Sequence, residues 1–79
     1  MTAEKILKEE TEKWLARIED KTKQLKSVDE RSQWAVENIK AYISDCKHFH
    51  KNKDFVRSFE AVVYAYGIYE TALQSGLIE

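Results

Sequence analysis

The 79-residue chain has no proline, only two glycines (Gly67 and Gly76) and a single cysteine, Cys46. A strand-rich fold closed by tight turns draws on both proline and glycine, so their scarcity argues for helices. One cysteine allows no internal disulfide, and a reducing compartment is expected. Long apolar runs are also missing. Nothing approaches the roughly 18 apolar residues of a membrane span, and the opening "MTAEKILKEE" turns charged at once, without the apolar centre of a secretion signal. A soluble cytoplasmic protein is the expectation. Neither sign of charge prevails, with 13 basic against 14 acidic residues, so the whole molecule has no strong field to gather nucleic acid or anionic lipid. The balance shifts along the chain, and residues 54–79 hold only Arg57 against Asp54, Glu60, Glu70 and Glu79. The most apolar third is thus also the most acidic.

What is present is helical periodicity. Leu7, Thr11, Trp14, Leu15, Ile18, Thr22 and Leu25 recur at three- and four-residue steps and share one arc of a helix. Thr2 is its N-cap by type, and Glu4–Lys8, Glu9–Lys13 and Glu19–Lys23 stand at i,i+4. The spacing predicts a first helix over 3–26. Ser27 with Glu30 reads as a capping box that opens a second helix over 28–51. Ala35, Ile39, Tyr42, Ile43, Cys46 and Phe49 form its buried face, while Trp34 and Ala41 project to the side. "KNKDF" is the next break, where Asn52 or Lys53 takes the left-handed conformation, Asn being the easier choice, and Asp54 caps a third helix over 54–75.

The third helix, "SFEAVVYAYGIYETAL", is the richest segment. Phe55, Phe59, Val62, Tyr66, Tyr69, Leu73 and Leu77 form its stripe, with Val56 and Val63 on a bulky flank and Ser58, Ala61, Ala65 and Ala72 on a small one. Such a helix is expected in the groove between two others, the valines filling space and the alanines admitting a neighbouring backbone. Gly76 suits a C-cap, and Gly67 calls for close approach of another segment to offset its cost of about 1 kcal/mol. The pattern gives an all-α class: an antiparallel, up-down-up three-helix bundle in one domain, residues 1–79. That length is near the limit for a sufficient core, with roughly 60% of the surface hidden on folding.

Tyr64 and Ile68, one turn apart beside Arg57, are expected on the far side of the third helix, surplus to the interior. Exposed apolar clusters mark contact sites. With Trp34 as a second candidate, these residues are the expected partner-binding set, for a homodimer or a partner helix.

"KHFHKNKDFVRSFEAVVYAYGIYETALQSGL" resembles an archaeal family catalogued as domain of unknown function number 357. The family pattern is an aromatic-rich helix end, a short turn, F-x-A-x-x-Y-A-[HY]-G, an acidic residue and a late Gly-Leu. Phe59, Ala61, Tyr64, Ala65, Tyr66, Gly67, Glu70, Gly76 and Leu77 take those places. The resemblance covers residues 40 to 78 and departs at Lys53, where the family tends to have glycine. It implies a compact three-helix bundle and an archaeal source, and no assigned activity.

Chemical motifs are sparse. Cys46 and His50 at i,i+4 suit a transition-metal pair, but a structural zinc site wants four ligands, so no metal and no cofactor is expected. Glu70, expected partly buried beside Tyr66 near the apolar face, lacks a nucleophile or second carboxylate, so no catalytic residue is assigned and no small molecule is identified as a ligand. Helical nucleases of the HEPN type carry an Arg four to six residues before a His, which neither His48 nor His50 has. The basic turn at residues 47–53, "KHFHKNK", is the feature that favours nucleic acid, yet no extended basic face continues it. The expected function is a non-catalytic interaction module. The alternative is a nucleic-acid-associated accessory protein using that turn.

Overall fold

Two tight helix ends set the architecture. In a computed structural model, which describes residues 2–79, α1 spans Ala3–Lys21, α2 Gln33–Lys51 and α3 Phe55–Gln74, with a short 3-10 turn at Glu30–Ser32 before α2. The α2–α3 link is so short that the two helices must fold back on each other. It closes by a paired hydrogen-bond motif: the Asp54 N–H donates to the Phe49 carbonyl at 2.9 Å and the Lys53 N–H to that of His50 at 3.0 Å. The left-handed residue is Lys53, at φ 60°, while Asn52 stays at φ −88°. Asp54 then caps α3, its side chain accepting the Arg57 N–H at 3.2 Å. Thr2 caps α1 in the same way, accepting from Lys5 at 3.2 Å.

The α1–α2 link departs from expectation. α1 stops at Lys21, five residues short of position 26, and Ser27 is not a helix cap. Residues 26–28 run extended against the carboxyl terminus instead. Lys26 and Glu79 exchange backbone hydrogen bonds at 3.2 and 3.0 Å, and the Val28 N–H donates to the Leu77 carbonyl at 2.9 Å. Ser27 and Ile78 form this isolated antiparallel bridge. Asp29 does the capping, its carboxylate accepting from the Ser32 N–H at 3.0 Å and the Ser32 hydroxyl at 3.1 Å. Gly76, at φ 74°, makes the bridge possible: it ends α3 with the same paired motif, Leu77 to Ala72 at 2.9 Å and Gly76 to Leu73 at 3.2 Å. The reversal delivers Ile78 to the core.

Pairings across the bundle follow the up-down-up order. Trp14 meets Tyr66, and α1 starts beside the start of α3, so these two run parallel. Glu12 and Glu19 of α1 meet His50 and Lys47 of α2 in antiparallel sequence. α3 packs on both other helices, which touch each other little. The body is elongated, 44 × 19 × 17 Å. The core is built on Ile18, Ile39 and Val62, none with exposed surface, each of which contributes about 1.5–3 kcal/mol by burial.

The buried face of α3 is turned from the expected one. Ser58, Ala61, Ala65 and Ala72 are buried along with Val62 and Phe55, whereas Val56, Val63 and Leu73 are about half exposed. On a helical wheel the buried centre moves by roughly 60° toward the small residues. The cause is α2: small side chains let its backbone come close, and the Ser58 hydroxyl donates to the Cys46 carbonyl at 2.7 Å. The valine flank therefore fills no interior space. Leu73 sits two turns beyond Tyr66, level with the early end of α1, and so loses the cover that a helix to residue 26 would have given. The surface ion pairs also differ: Lys13 reaches Glu10, Lys23 reaches Asp20, and Glu19 turns to Lys47 at 2.7 Å.

Candidate interaction surface on the third helix

The rotation of α3 decides what it shows to solvent. Its outer ridge consists of Val56, Glu60, Val63 and Gly67, all exposed. Gly67 is not a site of close packing within the chain, since a Cβ built there meets nothing within 4 Å. The expected approach of another segment is absent, and the glycine instead leaves the ridge low between two hollows.

The first hollow lies on the α2 side and measures about 520 Å³. Trp34 and Tyr42 of α2 and Val63, Tyr64 and Ile68 of α3 line it, with Leu77 at its end. Trp34 is 51% exposed and Tyr64 54%, large fractions for such apolar surfaces. The expectation that Tyr64 and Ile68 stand on the far side needs correction. Ile68 is half-buried and packs against the core. Tyr64 leans toward α2, its ring centroid 5.5 Å from that of Tyr42. Because α2 lies closer to this flank than the sequence stripe implied, three of the four expected residues, Trp34, Tyr64 and Ile68, share one wall-and-floor arrangement. Arg57 stands apart, in a neighbouring depression with Tyr64 and Phe49, its guanidinium 3.7 Å from the Asp54 carboxylate. Tyr42, Val63 and Leu77 are the members that sequence reasoning missed, having been assigned to the core. Each keeps the helical spacing of its own stripe or flank, which is the same for a core wall and a groove wall.

The second hollow lies on the α1 side, about 320 Å³, between Trp14, Phe59, Val63, Tyr66 and Gly67, with Glu70 at its rim. Glu70 is exposed, contrary to the partly buried position expected. Trp14 and Tyr66 meet edge to face, centroids 5.3 Å apart at 89°. The indole N–H donates to Glu10 at 3.1 Å. Burial pushes the Tyr66 phenol above its ordinary range, an effect that Arg17 opposes and Glu70 and Tyr69 reinforce.

The chemical candidates are dispersed. The Cys46 thiol has no exposed surface and lies 3.4 Å from the Ser58 hydroxyl. Burial drives its pKa up, with the Ser58 contact acting the other way. His50 turns to α1, its Nε2 2.8 Å from Glu12 Oε2. The i,i+4 pair therefore does not converge on one point, and among the described residues no group of three or more His, Cys, Asp or Glu side chains is gathered as metal ligands would be. In the basic turn, Lys47 is bound to Glu19; Lys51 and Lys53 are exposed. Among the described residues no helix is long and apolar enough to cross a membrane.

Comparisons with known proteins agree with this fold. No curated protein matches the chain. A crystal structure from Archaeoglobus fulgidus, of a protein with the DUF357 family description, superposes with a TM-score of 0.89 at 40% identity, covering 99% of this chain and 97% of that one. The model of the family described as "Protein of unknown function (DUF357)" matches residues 5–78. With all three helices inside the match and a relative of near-equal length sharing the bundle, the chain belongs to the DUF357 family.

Proposed function

We propose that the protein is a non-catalytic interaction module whose α2–α3 hollow receives a helix, in the first instance from a second copy of itself. The observation that carries this reading is the gathering of Trp34, Val63 and Tyr64, each about half exposed, around one apolar depression bordered by Gly67. Apolar surface of this kind costs free energy in water and is recovered by burial against a complementary face. A helix laid along the depression meets side chains at one-turn intervals, as helix-in-groove recognition requires. The lowered ridge at Gly67 admits its backbone. A chain of this size, with a core close to the minimum, also gains most from such burial.

Sedimentation equilibrium tests the reading. A mass that rises above the monomer with concentration, and returns to the monomer in Tyr64→Glu, is expected. Tyr64 suits the substitution better than Ile68, because Ile68 packs on the core and a charge there would disturb folding. Nucleic-acid association through residues 47–53 is less supported, as Lys47 and His50 are engaged with Glu19 and Glu12.

A further inference from the structure

The α1-side hollow has a composition that points to a ligand of a different kind. Trp14 and Tyr66 stand at 89° and make a corner of two rings, and Phe59 adds a third aromatic wall. Gly67 leaves the opening clear, since apart from its chain neighbours and the backbone of its own helix nothing lies within 4 Å of where its Cβ would be. A single carboxylate, Glu70, stands exposed at the rim. Aromatic faces carry negative potential, and with a carboxylate beside them they favour a cation. Trp14 already shows this preference: the Arg17 guanidinium lies 4.8 Å and the Lys13 ammonium 5.4 Å from its ring centroid. Neither of those cations lines the hollow, and Arg17 is also near enough to Tyr66 to oppose the upward shift of its phenol.

The kind of cation follows from hydrogen-bond accounting. An unmodified ammonium brings three N–H donors that need acceptors once they leave water. This hollow offers one carboxylate and otherwise apolar walls. A methylated ammonium has few or no donors, presents methyl groups to the rings and keeps its charge for Glu70. We propose that the hollow formed by Trp14, Phe59, Tyr66 and Glu70 binds a methylated ammonium group. Its volume, about 320 Å³, accommodates such a group with part of its stem. The proposal goes beyond the interaction surface: the two hollows share Val63 and Gly67 on the ridge, but Trp34, Tyr42 and Tyr64 lie on one side of it and Trp14, Phe59, Tyr66 and Glu70 on the other.

Tryptophan fluorescence provides the test. The chain has two tryptophans, and Trp34→Phe leaves Trp14 as the sole reporter. This variant is titrated at constant ionic strength with choline, with a peptide bearing trimethyl-lysine, and with 3,3-dimethylbutanol, the uncharged carbon analogue of choline. Saturable change with choline or the peptide is expected, the tighter of the two showing whether the group is free or carried on a chain. The neutral analogue should bind roughly tenfold or more weakly, and Glu70→Gln should weaken the cation by a similar factor. Gly67→Leu, which places a side chain in the opening from an exposed helix position, should abolish the response while circular dichroism remains helical. No saturable response to either cation overturns the proposal. So does equal affinity for the neutral analogue, or unchanged binding in folded Gly67→Leu.

Discussion

Lys53→Gly should make the protein more stable. Lys53 is the non-glycine residue with positive φ among the described residues, at 60°. In that conformation its Cβ crowds the following carbonyl, at a cost of about 1–2 kcal/mol. The turn cannot avoid the conformation, because the 2.9 Å bond from Asp54 to Phe49 and the 3.0 Å bond from Lys53 to His50 depend on it. Glycine removes the crowding but loses about 0.5–1 kcal/mol through the greater freedom of the unfolded chain. Taking the middle of each range, the difference is a gain of about 0.75 kcal/mol. For a domain of this size that corresponds to a rise in Tm of about 2–8 °C. Urea unfolding followed by far-ultraviolet circular dichroism measures it, with an unchanged m-value as the sign that only stability has moved. Asn52→Gly is the control: at φ −88° it gains nothing from glycine and should lose stability. Unchanged or reduced stability in Lys53→Gly, or a gain in Asn52→Gly, would refute the assignment of the left-handed residue.

Other outcomes follow from single side chains. The Tyr66 hydroxyl is enclosed with no protein partner, so Tyr66→Phe should preserve or raise stability, by up to about 1 kcal/mol; a loss of similar size in thermal melts would mean the hydroxyl is satisfied. Gly67→Ala should raise helix stability by about 1 kcal/mol in the monomer, since no neighbour obstructs the methyl group; a destabilised monomer in urea titrations would contradict the open ridge. The Cys46 thiol is fully enclosed, and its raised pKa keeps it neutral at pH 7. Its reaction with a thiol reagent should therefore track unfolding and accelerate by orders of magnitude in urea. Equal rates with and without urea would place the sulfur at the surface.

Much of the fold was legible because helix periodicity and capping chemistry are local. Thr2, Asp54 and Gly76 act as their types require, and the core positions Ile18, Ile39 and Cys46 fall on the arcs that their spacing marks. The errors came from contacts distant in sequence. Pairing of residues 26–28 with the carboxyl terminus shortened α1 and converted Ser27 from a cap to a bridge residue, and nothing within "QLKSVDE" shows that partner. Similarly, a wheel drawn on residue size centres α3 on its large side chains, whereas the close approach of α2 centred it on Ser58, Ala61 and Ala65. That displacement brought Tyr64 against Tyr42 and drew Ile68 inward. Trp34, Tyr64 and Ile68 were thus visible as apolar residues without a place in a simple stripe, but their assembly into one hollow depended on how closely two helices pack.

The central claim, that the hollow at Trp34 and Tyr64 is a protein-contact surface, is tested most directly by sedimentation equilibrium of the wild type beside Tyr64→Glu across a wide concentration range. The wild type is expected to rise from the 9.3 kDa monomer mass toward twice that value, with Tyr64→Glu remaining monomeric and equally folded. A wild type that stays at 9.3 kDa at every concentration, or a Tyr64→Glu protein that associates as strongly as the wild type, would contradict it.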